Sequence, residues 1–126
     1  MSDLIRKRLT GKEEGFTLIE LLVVIVILGI LMAIAVPSYM GFKDRANDAA
    51  AKANVRSAVA AVETYFQDTG TYTGLNMTSL LLIDGGVKLD STMSGGTSTY
   101  CIQNTQAKTH VFHKSGPAGD ILSGGC

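Results

Sequence analysis

The groups whose types could do chemistry lie mostly in the C-terminal half. They are His110 and His113, the aspartates Asp84, Asp90 and Asp120, and the basic set Lys108, His110 and Lys114. The i, i+3 spacing of the histidines puts them on opposite faces of a strand, which disfavours a shared metal. The aspartates could surround a calcium ion, but no run around them resembles a calcium-binding loop, and they read as solvated loop acids. Lys108, His110 and Lys114 alternate onto one strand face, which suits either nucleic-acid phosphates or plain solvation. Nucleic acid is therefore a partner without support beyond that face. There is no Ser/His/Asp or Cys/His arrangement and no phosphate-binding loop, and Phe16, Tyr39 and Phe42 read as packing aromatics. The expectation is no enzyme: no catalytic residue, no metal and no cofactor.

The remaining group is Glu20. It is the one charge in an apolar run from Phe16 to Val36. As a helix, those roughly 21 residues span about 30 Å, the hydrocarbon thickness of a bilayer. A carboxylate inside such a segment is expensive, so it reads as a functional group with a partner to be found.

Orientation follows from the basic residues. Arg6, Lys7, Arg8 and Lys12 precede the run, whereas Lys43 and Arg45 beyond it are interleaved with Asp44 and Asp48. That bias places the N-terminus in the cytoplasm and the C-terminal half outside. Cys101 and Cys126, both beyond the run, then suggest one disulfide in an oxidising compartment; two free thiols in a cytosolic domain are the alternative. The run is longer than the h-region of a secretory signal peptide. Ala33 and Ala35 offer a small-residue site, but Pro37 follows directly, so the segment reads as retained. A net charge of zero gives no global electrostatic pull toward nucleic acid or an acidic substrate.

Gly15-Phe16-Thr17-Leu18-Ile19-Glu20-Leu21-Leu22 resembles the processing motif of type IV pilins, of the short-leader type IVa-like kind, and of the related pseudopilins. The close match covers about residues 11–42, and helical pattern extends it to about 67. The resemblance implies that a prepilin peptidase cuts between Gly15 and Phe16 on the cytoplasmic side and N-methylates Phe16. Glu13 and Glu14 depart from the frequent basic residue before the glycine, although the leader keeps four basic against three acidic residues. The resemblance also gives Glu20 its partner, the α-ammonium of a neighbouring subunit once the helices bundle into a filament core. A buried charge is tolerable there only when paired, so Glu20 sets assembly register. Gly29 and Pro37 match the positions flanking a segment that can lose helical structure on assembly in this family. A proline kink in a continuous helix is the alternative.

The elements that position these groups are readable in outline. From Ser38 to about Gln67 the pattern is amphipathic: Val55, Val59, Val62 and Phe66 form one apolar stripe, widened by Ala58 and Tyr65, and Gly70 ends it. The upper stripe is expected to pack on the head, and the Ala-rich part below it is a candidate subunit contact. In the head, Asn76–Leu82 reads as a helical turn, and Val87–Met93, Thr97–Gln103 and Thr109–Lys114 as strands, the last two joined around Asn104–Lys108. Fewer than about 60 head residues bury a limited core, so a staple is expected. A Cys101–Cys126 bridge would contribute about 3.5 kcal/mol on the chain-entropy estimate.

The fold expected is α+β: a long N-terminal helix, its apolar half membrane-spanning and its amphipathic half packed on a small antiparallel sheet. The parts are a cleaved leader (1–15), a transmembrane and filament-core helix (16–37), an amphipathic helix (38–67) and a head (68–126). The resemblance implies a pilin that leaves the cytoplasmic (inner) membrane and polymerises into an extracellular helical homo-oligomer of the kind used in adhesion and motility. The implied partners are the prepilin peptidase, an assembly platform and its ATPase. A pseudopilin of type II secretion or of a competence (DNA-uptake) system is the first alternative, and a single-pass anchored receptor or enzyme the second.

Overall fold

The computed structural model describes residues 15–126; the predicted basic leader, Gly15 apart, lies outside the described residues. One helix, α1 (Leu18–Thr69, 52 residues), includes Pro37. The chain divides into two units, one ending at Met40 and one comprising Gly41–Cys126.

In the first unit every described side chain is exposed, the large apolar ones from 89% at Phe16 to 48% at Val23. Among its described residues the only side-chain hydrogen bonds are at the helix start. The Glu20 N–H donates to Thr17 Oγ1 (3.2 Å), and the Thr17 N–H donates to Glu20 Oε2 (3.0 Å). That reciprocal pair is a capping box, which satisfies two backbone donors left over at any helix N-terminus.

In the second unit α1 buries one stripe: Ala51, Val55, Ala58, Ala61 and Val62. Val59, Tyr65 and Phe66 lie at its margin, half-buried. The stripe is thus centred one residue column away from the expected valine row. Ala51 and Ala58 occupy its centre because their short side chains let the sheet approach the helix. Thr69 is the last helical residue, and Gly70 (φ +73°) follows in the left-handed conformation that favours glycine.

Helix α2 (Met77–Ile83) starts one residue later than expected because Asn76 is its cap: Asn76 Oδ1 accepts from the Ser79 N–H at 2.9 Å. The sheet is an antiparallel meander of β1 (Ser94–Gly95), β2 (Tyr100–Gln106), β3 (His110–Gly116) and β4 (Ile121–Ser123). Two sequence expectations need correction, and one strand lies where none was expected. Val87–Met93 is not a strand, because Asp90 replaces the ladder: its carboxylate accepts from Gln103 Nε2, from the Thr105 N–H and from Thr105 Oγ1. Only Ser94–Gly95 then pairs with β2. The second correction is that β2 runs through Asn104, displacing the turn to Ala107 and Lys108, both at positive φ. Finally, the glycine-rich tail contributes a fourth strand, paired with β3 through Phe112↔Ser123 and Lys114↔Ile121.

The core of this unit joins the α1 stripe to Tyr72, Leu75, Leu80, Val87, Tyr100 and Ile102. Asn104, the one buried polar residue among those described, is a hub. It donates to the Lys88 carbonyl (2.8 Å) and accepts from Gln106 Nε2 (2.9 Å) and Asn54 Nδ2 (3.3 Å), tying helix, loop and sheet together.

Candidate functional site

The chemistry-bearing residues of the sequence fall into separate places. Lys108 sits in the β2–β3 turn, whereas His110 and Lys114 lie on the side of β3 that carries buried Phe112. His110 meets Asp48 and Asp44, and Lys114 Nζ donates to the Gly119 carbonyl. That face therefore packs on the protein's own helix and loop, and offers no row of free cations for phosphates. His113 points the other way and bonds the Gly124 carbonyl at 2.9 Å, as the strand period requires.

Asp84 accepts from the Gly86 N–H at 2.8 Å, while Asp90 serves Gln103 and Thr105. Burial works to raise the Asp90 carboxyl, but the bonds from Thr105 and Gln103 outweigh it and lower its pKa. Among the described residues no group of three His, Cys, Asp or Glu is placed to hold a metal. Cys101 and Cys126 are joined as a disulfide, and the Cys126 N–H also donates to Gln103 Oε1 (2.8 Å), so the tail is fixed twice to β2.

Two constellations escaped the sequence reading. The first is an aromatic row, Phe66–Tyr72–Tyr100, with ring centroids 4.5 and 4.8 Å apart. The Tyr72 hydroxyl donates to both oxygens of Glu63 (3.1 and 3.2 Å). Burial, then that bond, raises the Tyr72 pKa. Tyr100 packs over Gly116, where any side chain would run into its ring. Its hydroxyl is buried without a partner; burial, then the nearby Glu63 charge, pushes its pKa up to about 12. Beside it lies a cleft of about 580 Å³ whose lining, Ser94 to Gly96, Thr99 to Cys101 and Ser115 to Gly119, carries no charged side chain. The second constellation is the Asp44–His110–Asp48 set. Its signal, an Asp-x-x-x-Asp spacing on a helix, was in the sequence, but its partner lies 62 residues from Asp48.

The predicted assembly residues are all in the first unit. Gly15 and Phe16 precede the helix and are exposed; Glu20 is in the first turn; Gly29 and Pro37 are inside α1, with open space around Gly29. An exposed apolar segment of this length cannot be the resting surface of a monomer in water, because hundreds of Å² of contiguous apolar surface mark a lipid or protein contact. Fold and segment together define a small α+β head carried on a membrane-length helix.

Comparison with known proteins narrows that class. The family description "Prokaryotic N-terminal methylation motif" matches residues 11–36. The chain is 37% identical over 95 residues to the type IV wide pilus major component PilA4 of Thermus thermophilus, covering 71% of this chain and 70% of that one. It is 38% identical over 65 residues to the type IV major pilin protein PilA of Myxococcus xanthus (52% of this chain, 30% of that one). With the type II secretion system core protein G of Pseudomonas aeruginosa it shares 44% over 61 residues (48% and 43%). It thus spans less than half the length of the last two. No solved structure matches. The chain belongs to the type IV pilin family, which includes the pseudopilins.

Proposed function

We propose that this chain is the structural subunit of a type IV pilus, stored in the cytoplasmic membrane with its N-terminus inside. A prepilin peptidase cuts between Gly15 and Phe16 and methylates the new terminus, and an assembly platform driven by its ATPase adds the subunit to a helical filament. It performs no catalysis of its own. The observation that carries this reading is the uncovered apolar half of α1, with Leu18 to Val36 all exposed, in a chain similar to a pilus component over 95 residues.

In this reading Glu20 pairs across subunits while one of its oxygens accepts from the Thr17 N–H, which holds the carboxylate in the first turn. In the membrane that turn lies near the headgroups. In a bundle of such helices the carboxylate is buried, and the α-ammonium of a neighbouring Phe16 offsets the desolvation cost. The exposed Ala46, Ala49, Ala53 and Ala60 leave the opposite face of α1 free for close helix approach.

A second reading, a pseudopilin of type II secretion, is favoured by the 44% identity to core protein G, which is confined to 61 residues. Mass spectrometry of the mature N-terminus and electron microscopy of cells with and without the chain decide between them. A methylated Phe16 terminus together with surface filaments built from this chain is expected. A methylated terminus with lost secretion and no fibre would favour the pseudopilin, and a terminus at Met1 would overturn both.

A further inference from the structure

His110 sits between two carboxylates of α1. Its Nδ1 lies 2.6 Å from Asp48 Oδ1 and its Nε2 lies 3.4 Å from Asp44 Oδ1. The Nδ1 contact is a hydrogen bond to Asp48, and the Nε2 contact to Asp44 is within ion-pair distance of a protonated ring. Asp44 and Asp48 are one helical turn apart, so a single side chain from the sheet spans that turn. The His110 side chain is 19% exposed, while Asp44 and Asp48 are 68% and 43% exposed, so the contact is shielded from the histidine side.

The position of this contact along α1 matters more than its strength. Among the described residues Asp44 is the earliest helical residue whose side chain bonds or ion-pairs with the sheet. Beyond it come Lys52, its ammonium 4.9 Å over the Phe112 ring, then the Asn54–Asn104 bond, then the buried stripe. Before it stand Gly41, exposed, and Pro37. Proline removes the N–H that would bond the Ala33 carbonyl, and glycine lowers helix propensity by about 1 kcal/mol, so opening starts there most easily.

We propose that His110 is the stop that limits this opening: unwinding that begins near Pro37 spreads along α1 only as far as the Asp44–Asp48 turn. The Cα atoms of Asp44 and Asp48 are about 6 Å apart along a helix but about 13 Å apart along extended chain, so it is the helical turn that brings both carboxylates to 2.6 and 3.4 Å from one imidazole. Holding both acids therefore requires the turn to be helical. The device belongs to the single subunit and goes beyond the filament reading, so its test does not depend on assembly.

The test is amide hydrogen exchange on the full chain in detergent micelles. In the parent chain the boundary between fast and slow amides is expected at residues 44–48. His110→Gln should speed exchange of amides 44–51 by about tenfold, leaving those of Leu80 and Ile102 unchanged. The exchanged pair Asp48→His with His110→Asp again places a histidine between two acids, and should return exchange to within about threefold of the parent. Unchanged exchange at 44–51 in His110→Gln overturns the proposal. So does acceleration spread evenly over the head, or a swap that restores nothing.

Discussion

The two units solve opposite problems with one helix. Among the described residues up to Met40 no apolar side chain is buried, and the only side-chain bonds are the Thr17–Glu20 cap. From Gly41 onward the same helix buries Ala51, Val55, Ala58 and Val62 under a sheet, a buried asparagine hub and a disulfide. The first unit gains stability only from what surrounds it, lipid or other copies, while the second carries its own core. Substitutions should therefore act through different observables: assembly for the first, unfolding for the second.

The largest expected effect separates charge from cap at Glu20. Glutamine serves as well as glutamate at the third helical position of a capping box, so Glu20→Gln keeps the cap and removes the charge. Thr17→Ala does the reverse. If pairing across subunits is the role of Glu20, Glu20→Gln gives a processed, membrane-inserted subunit with few or no filaments, and Thr17→Ala a much milder loss. Sheared-filament yield from cells is the measurement. Normal yield from Glu20→Gln would remove the pairing argument and leave only the cap.

Next in size is a matched pair of truncations. Ile102→Ala empties a fully buried site and should cost about 4 kcal/mol of head stability in denaturant unfolding. Ile25→Ala removes the same atoms from a side chain that is 55% exposed and should leave head unfolding within about 0.5 kcal/mol. Its effect belongs to filament yield. Comparable unfolding penalties at both positions would break the division between the units.

What was legible in the sequence follows the same division. The first unit could be read because its rules are one-dimensional: a membrane-length apolar run, a lone acid, a glycine before it. Even the cap was present as Thr17-Leu18-Ile19-Glu20. The helix stripe, α2 and the hairpin β2–β3 were visible in outline, from periodicity and turn residues. What was lost depends on contacts distant in sequence. Asp90 looked like a strand residue because nothing local shows that its carboxylate reaches Thr105. Asn104 looked like a turn residue, since asparagine favours turns, until three separate segments are seen to satisfy its amide. The strand within Gly116–Cys126 went unread because it is three residues long and its pairing comes entirely from β3.

The smallest of these effects belongs to the head alone and depends on pH. Tyr100 ionises at about 12 in the folded chain, against about 10 for an ordinary tyrosine. Below pH 10 the phenol is neutral in both states, and its contribution to stability is fully present. Between 10 and 12 the unfolded chain gives up the proton while the folded chain keeps it, so stability falls by about 1.4 kcal/mol per unit, or about 2–3 kcal/mol in all. Tyr72, raised in the same direction, adds to the slope. Tyr100→Phe should flatten the decline between pH 10 and 11.5 in denaturant unfolding. It should do so with little loss at pH 7, because the hydroxyl it removes is buried without a hydrogen-bond partner. A Tyr100→Phe profile as steep as the parent's would assign the alkaline loss to Tyr72 instead. The segment up to Met40 has no tyrosine before Tyr39, so if that segment carries assembly the same variant should leave it unchanged at neutral pH.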